Sequence, residues 1–222
     1  MSINPREIPT GAVRYNTDSN KMEVYIGSAW MEVAVSSPNL DGGVRGIFAA
    51  GATNVIDFVT ISSAGNATDF GDVTRGVEKG AAQCANRTRG LIAGGHPSVS
   101  NAIDFITIAS TGNSADFGDL TVSRSYFAGA NNATRGLFGG AWSPSRTNTI
   151  DFVTISQTGN AVDYGDLTAA RQTDATFESP TRGFWAGGAS GSGPSYDAST
   201  SGKIIEFVTT STLGNATDFG DL

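Results

Sequence analysis

From Arg45 to Leu222 the chain repeats itself four times, and no other property restricts its fold as strongly. The copies begin at Arg45, Arg89, Arg135 and Arg182, with spacings of 44, 46 and 47 residues. Each opens with Arg-Gly and a short apolar run that ends in small residues: RGIFAAG, RGLIAGG, RGLFGG and RGFWAGG. Large apolar residues bounded by glycine read as a short buried strand. A variable polar connection leads to NVIDFVTI, NAIDFITI, NTIDFVTI or KIIEFVTT, which alternates with period two and is rich in β-branched and aromatic residues. A Gly-Asn pair then supplies a hairpin turn, at Gly65-Asn66, Gly112-Asn113, Gly159-Asn160 and Gly214-Asn215. The returning strand carries Asp-aromatic-Gly-Asp, from Asp69, Asp116, Asp163 and Asp218. Small-residue segments between copies, such as 124–133 and 171–179, supply a weaker fourth strand; for the first copy it must come from 35–44. No helical stripe is sustained anywhere in the repeat, so helices should be rare.

Composition removes several classes of function. One cysteine, Cys84, excludes an intrachain disulfide framework, and one histidine, His96, leaves no His-based metal cluster or triad. A net charge of −7 argues against a nucleic-acid partner, which needs clustered Lys and Arg. No apolar run approaches the ~18 residues of a membrane span, and MSINPREIPTG lacks the apolar core of a signal peptide. Most of the 29 glycines belong to the repeat, which uses them after Arg, at the strand stop, in the turn and in the aspartate corner.

A four-stranded unit of this length, repeated, predicts an all-β chain and a β-propeller in place of a helical solenoid. The paired glycines, alternating strand and returning strand resemble the kelch-type blade, with repeats at 45–88, 89–134, 135–181 and 182–222. The pattern departs from kelch in carrying Phe58, Phe105, Phe152 and Phe207 where kelch blades have a Tyr and Trp pair. Whether four blades close within one chain or across chains stays open, and an unpaired edge would invite another chain.

Residues 1–35 contain no copy of the repeat, and 36–44 form a linker or degenerate first strand. The first segment reads as three strands, AVRY, KMEVYI and AWMEVAV, too few to be stable alone. Val13, Tyr15, Val24, Tyr25, Trp30 and Met31 therefore need a partner and form the expected assembly interface. IPTGAVRYNTDSNKMEVYIGSAWMEV resembles a module of tail-fibre, neck and other appendage proteins of tailed bacteriophages, matching at Pro9, Gly11, Arg14, Tyr15, Asn16, Asp18, Glu23, Tyr25, Gly27 and Trp30. It is loosely similar to the trimerising hairpin of phage fibritin. The tandem units are similar to repeats in structural proteins of phages that infect cyanobacteria and related bacteria. These resemblances imply a non-enzymatic virion component that acts as an attachment and oligomerisation module with a protruding body. Its partners would be itself, as a homotrimer, and other virion proteins.

No catalytic residue, cofactor site or metal site is expected. The aspartate corners offer two carboxylates each, against the roughly 6–8 oxygens that Ca²⁺ takes, so their aspartates are read as acceptors of backbone N–H groups in turns. Asp57, Asp104, Asp151 and Glu206 recur mid-strand and are expected to pair with the arginines of Arg-Gly. Cys84 reads as a buried apolar residue. The variable connections 96–100, 142–147 and 190–202 share one slot of the repeat and should cluster on one face, where His96, Trp142, Arg146 and Tyr196 are the candidate contacts for a host glycan or protein.

Overall fold

The computed structural model describes residues 8–18, 21–33, 44–49, 53–142, 145–189 and 202–222. Two compact units are present, Met1–Asn39 and Leu40–Leu222. Every regular element among the described residues is a β-strand.

The first unit is one antiparallel sheet of β1 (Val13–Asn16), β2 (Lys21–Ile26) and β3 (Ala29–Glu32), in that order. In the second unit the first repeat supplies β4 (Arg45–Ala49), β5 (Val55–Thr60) and β6 (Thr68–Asp72). The short β7 (Val77–Lys79) follows and pairs with β10 (His96–Pro97). The second repeat is a four-stranded sheet of β8 (Ala82–Ala85), β9 (Arg89–Ala93), β11 (Ser100–Thr107) and β12 (Ala115–Arg124). The third contains β13 (Ala128–Asn131), β14 (Arg135–Trp142), β15 (Arg146–Thr154) and β16 (Val162–Asp166). The fourth contains β17 (Ala175–Glu178), β18 (Arg182–Ala186), β19 (Ile204–Thr209) and β20 (Thr217–Asp221). All pairings are antiparallel, in chain order, so each repeat is an up-and-down meander. The weak strand expected between copies is present as β8, β13 and β17. Its counterpart for the first repeat, at 35–44, falls almost wholly outside the described residues.

The core lies between sheets. One cluster joins Ile56, Phe70 and Val73 of the first repeat to Ile92 and Ile106 of the second. The next joins Leu91, Ile103, Phe117 and Leu120 to Phe138, Val153 and Ile155. The last joins Leu137, Ile150, Tyr164 and Leu167 to Trp185 and Val208. The second and third sheets thus bury one face on the repeat before and the other on the repeat after, and the first and fourth bury one face each, which period-two alternation in β5, β11, β15 and β19 makes possible. The row is not closed. Phe219 is 57% exposed, although its counterparts Phe70, Phe117 and Tyr164 are each 2% exposed.

Candidate functional site

Three interactions recur at each junction between repeats. The first is a backbone stitch from the aspartate corner to the next Gly-Asn turn. Gly112, Gly159 and Gly214 donate N–H to the carbonyls of Phe70, Phe117 and Tyr164 at 2.7, 2.8 and 2.9 Å. In return, the N–H groups of Asp72, Asp119 and Asp166 donate to the Oδ1 atoms of Asn113, Asn160 and Asn215 at 3.0–3.1 Å. The Gly-Asn pair therefore does more than turn a hairpin. At this contact the corner aspartate takes part through its backbone N–H, which donates to the asparagine side chain. Gly71, Gly118 and Gly165 let the two backbones meet: a Cβ there would lie 2.4–2.5 Å from the facing carbonyl oxygen.

The second is made by the arginines of Arg-Gly. Their guanidiniums lie over Phe58, Phe105, Phe152 and Phe207, with 4.5–4.9 Å to the ring centres. Arg45, Arg89 and Arg135 then donate to the carbonyls of Ile108, Ile155 and Thr210 in the next repeat, at 2.7, 3.2 and 2.9 Å. Stacking on a ring leaves the in-plane N–H groups free to reach across.

The third is the ion pair, formed by other arginines than those expected. Asp104, Asp151 and Glu206 pair with Arg75, Arg124 and Arg171, which follow the aspartate corner of the preceding repeat. Arg124 and Asp151 are fully buried at 2.6 Å, and Arg124 also donates to the carbonyls of Thr149 and Phe138 at 2.9 and 3.2 Å. Thr121 gives Asp151 its N–H (3.1 Å) and its hydroxyl (2.7 Å). Burial pulls the Arg124 and Arg171 guanidiniums below their ordinary pKa, and Asp151 and Glu206 oppose that shift. The Arg-Gly arginines fail as partners because their side chains face the following repeat, whereas these carboxylates face the preceding one.

The expected ligand loops converge in part. His96 and Trp142 flank a residue that the motif reading passed over, Tyr126, at centroid distances of 5.8 and 5.6 Å. Tyr126 has φ = 55°, uncommon for a non-glycine residue, and its N–H donates to the carbonyl of Gly80 at 2.7 Å. Arg146 pairs in register with Trp142 across β14 and β15. Trp142 is 40% exposed, so the row His96, Tyr126, Trp142 presents ring surface, with Arg146 opposite Trp142 on the neighbouring strand. Tyr196 lies outside the described residues. No local sequence pattern marks Tyr126, because its position depends on two loops of different repeats.

A cleft of about 450 Å³ opens where β8, β13 and β17 end, lined by Asn86, Asn132, Glu178 and Ser179 among others. Its polar groups serve the framework. Asn86 and Asn132 each accept two backbone N–H groups of their own turn and donate onward to Ala133 and Pro180 of the next repeat. Burial raises the Glu178 pKa above the ordinary carboxylate value. Cys84 is buried as expected, and burial, with the Glu178 charge adding to it, pushes its thiol far above the normal range, which disfavours the thiolate. Among the described residues no cluster of His, Cys, Asp and Glu is able to hold a metal ion.

In the N-terminal sheet the register places Val13, Val24 and Met31 in one row and Tyr15 beside Met22 in the next. With Ile26 and Val33 they make one apolar face, on which Val13, Tyr15, Met22, Ile26 and Met31 are 45–59% exposed. The six expected interface residues do not all lie there. Tyr25 and Trp30 occupy the opposite face, edge to face at 5.4 Å, with Arg14 over Trp30 at 4.2 Å. That face is closed by the Arg14–Glu23 and Lys21–Glu32 ion pairs, each 2.7 Å, and Glu23 is held below its ordinary pKa by hydrogen bonds from Asn16 and Arg14. Tyr25 is accordingly buried, and Met22, Ile26 and Val33 replace it and Trp30 in the apolar face.

No protein-family model matches the chain, and no curated protein matches it.

Proposed function

We propose that this chain is a non-enzymatic structural component of a bacteriophage virion, a tail-fibre, neck or capsid appendage, that assembles as a homotrimer through its N-terminal sheet and displays a kelch-like β-propeller body. The observation that carries the reading is the apolar face of β1–β3. A three-stranded sheet with that much exposed apolar surface is unstable in water by itself and gains from burial against copies or a neighbouring virion protein. The virion assignment rests on the resemblance of residues 8–33 to phage appendage modules and of the repeats to phage structural proteins. The propeller reading rests on four consecutive meanders packed face to face, the middle two burying both faces on their neighbours. The charged groups of the body support a structural role, since the buried arginines and carboxylates at the junctions are used in joining repeats.

Light scattering on the full chain and on Met31→Asp tests the assembly. The native chain is expected to have three times the chain mass, and the variant to be a folded monomer with unchanged far-ultraviolet circular dichroism. A native monomer overturns the trimer.

The row His96, Tyr126, Trp142 with Arg146 favours a second reading, in which the body is a receptor-binding head for host surface glycans, because aromatic faces beside a polar donor suit sugar rings. A glycan array should then show binding that Trp142→Ala reduces at least tenfold, and an array with no binder rejects this reading.

A further inference from the structure

The two ends of the row of sheets carry complementary halves of the junction that joins successive repeats. On the last of the four repeats, Arg182 lies over Phe207 at 4.5 Å as its counterparts do, yet it is exposed, and among the described residues no carbonyl of another repeat receives its N–H groups. Phe219 is 57% and Leu222 71% exposed, whereas Val73, Leu120 and Leu167, which match Leu222, are 1–3% exposed. Gly220 keeps the corner conformation at φ = 144°, but nothing lies within 4 Å of where its Cβ would be, although Gly71, Gly118 and Gly165 each touch a Gly-Asn turn.

On the first repeat the missing partners are all present. Gly65 also has nothing within 4 Å of a Cβ position, so the Gly65-Asn66 turn has no corner to stitch. Ile61 is 68% exposed, where Ile108, Ile155 and Thr210 are at most 6% exposed and give their carbonyls to a preceding arginine. Phe48 is 59% exposed, where Ile92, Phe138 and Trp185 are at most 2% exposed. Apart from the Asp57 carboxylate, the donors, acceptors and apolar surfaces left over at one end have counterparts at the other.

We propose that the last repeat of one chain docks on the first repeat of a second copy, head to tail, through the contacts that already join repeats within the chain. Arg182 then donates to the carbonyl of Ile61, the Asp221 N–H to Asn66, and Phe219 and Leu222 bury against Phe48. Because the two surfaces differ, the association is heterologous and either closes as a ring of copies or propagates. Two features make this junction weaker than the internal ones. Asp57 has no arginine from a preceding repeat among the described residues. Phe177 stands where Cys84 and Ala130 stand, stacked on Phe184 at 4.5 Å, and holds the copies apart there by about the thickness of a ring. The contact is therefore reversible and separate from the N-terminal sheet.

Full-length Asn66→Cys and Asp221→Cys chains, one carrying a mass tag, test it by mixing with a short bis-maleimide; Cys84 is buried and stays silent. The expected result is a tagged–untagged cross-link in the mixture, at least tenfold above either variant alone and above a mixture in which Thr158→Cys replaces Asn66→Cys. Phe219→Asp added to the Asp221→Cys chain should remove at least nine-tenths of that product while cooperative melting remains. A mixture no better than the Thr158→Cys control overturns the proposal. So does a chain with both cysteines that cross-links only within a monomer, because the first and last repeats then close on each other in one chain.

Discussion

Replacing Gly118 with Ala should destabilise the chain by about 2–4 kcal/mol, and Gly220→Ala, in the same backbone conformation, by only about 1 kcal/mol. Both glycines have φ near +145°, at 146° and 144°. A side chain at either position suffers the conformational cost, of order 1–3 kcal/mol. Only at Gly118 does the new Cβ also fall 2.5 Å from the carbonyl carbon and oxygen of Gly159 and 2.9 Å from the Asn160 nitrogen. Those are backbone atoms held by two stitching hydrogen bonds, so relief requires prising the second and third repeats apart. Overpacking of that kind adds about 1–3 kcal/mol. Urea unfolding midpoints of the two variants measure the difference directly. Equal midpoints would mean that the corner glycine serves its own turn and not the junction.

Arg124→Ala is expected to cost about 3–5 kcal/mol, because it strands the Asp151 carboxylate in a site with no solvent access. Two Thr121 hydrogen bonds remain to Asp151, but they do not supply a counter-charge. The double variant Arg124→Met, Asp151→Leu should recover most of the loss, since removing both charges also removes their desolvation cost. Arg75→Ala, at a pair whose arginine side chain is 18% exposed, should cost less than Arg124→Ala because water can reach the orphaned Asp104. Equilibrium denaturation of the four proteins checks this ordering. A double variant as unstable as Arg124→Ala would show that the arginine's carbonyl bonds to Thr149 and Phe138, and not its charge pairing, hold the junction.

Much of this architecture is legible in the residues because it is locally encoded. Apolar runs stopped by glycine, period-two alternation and Gly-Asn turns each act within a few residues, and they place β9, β14, β18 and their partner strands with little error. The three strands of residues 13–32 are readable for the same reason. The N-terminal interface is half legible. Alternation separates Tyr25 from Val24 and Trp30 from Met31 within each strand, but only the cross-strand register shows that Val13, Val24 and Met31 share one face and Tyr25 and Trp30 the other. Tyr126 leaves no mark in the sequence, because its neighbours His96 and Trp142 come from other strands.

The sequence by itself determined the repeat, its strands and its turns, since hydrophobic period and glycine conformation are properties of short segments. Tertiary structure alone decided which groups meet across a junction. The chain contains two arginines per junction and one carboxylate, and nothing local tells which arginine takes it. The choice follows from sheet packing: the Arg-Gly arginine points at the following repeat, the carboxylate at the preceding one, and the arginine after the corner is the one that the intervening strand delivers to it. Two sheets stacked face to face impose that direction, and it leaves the first and last repeats with matching, unfilled halves.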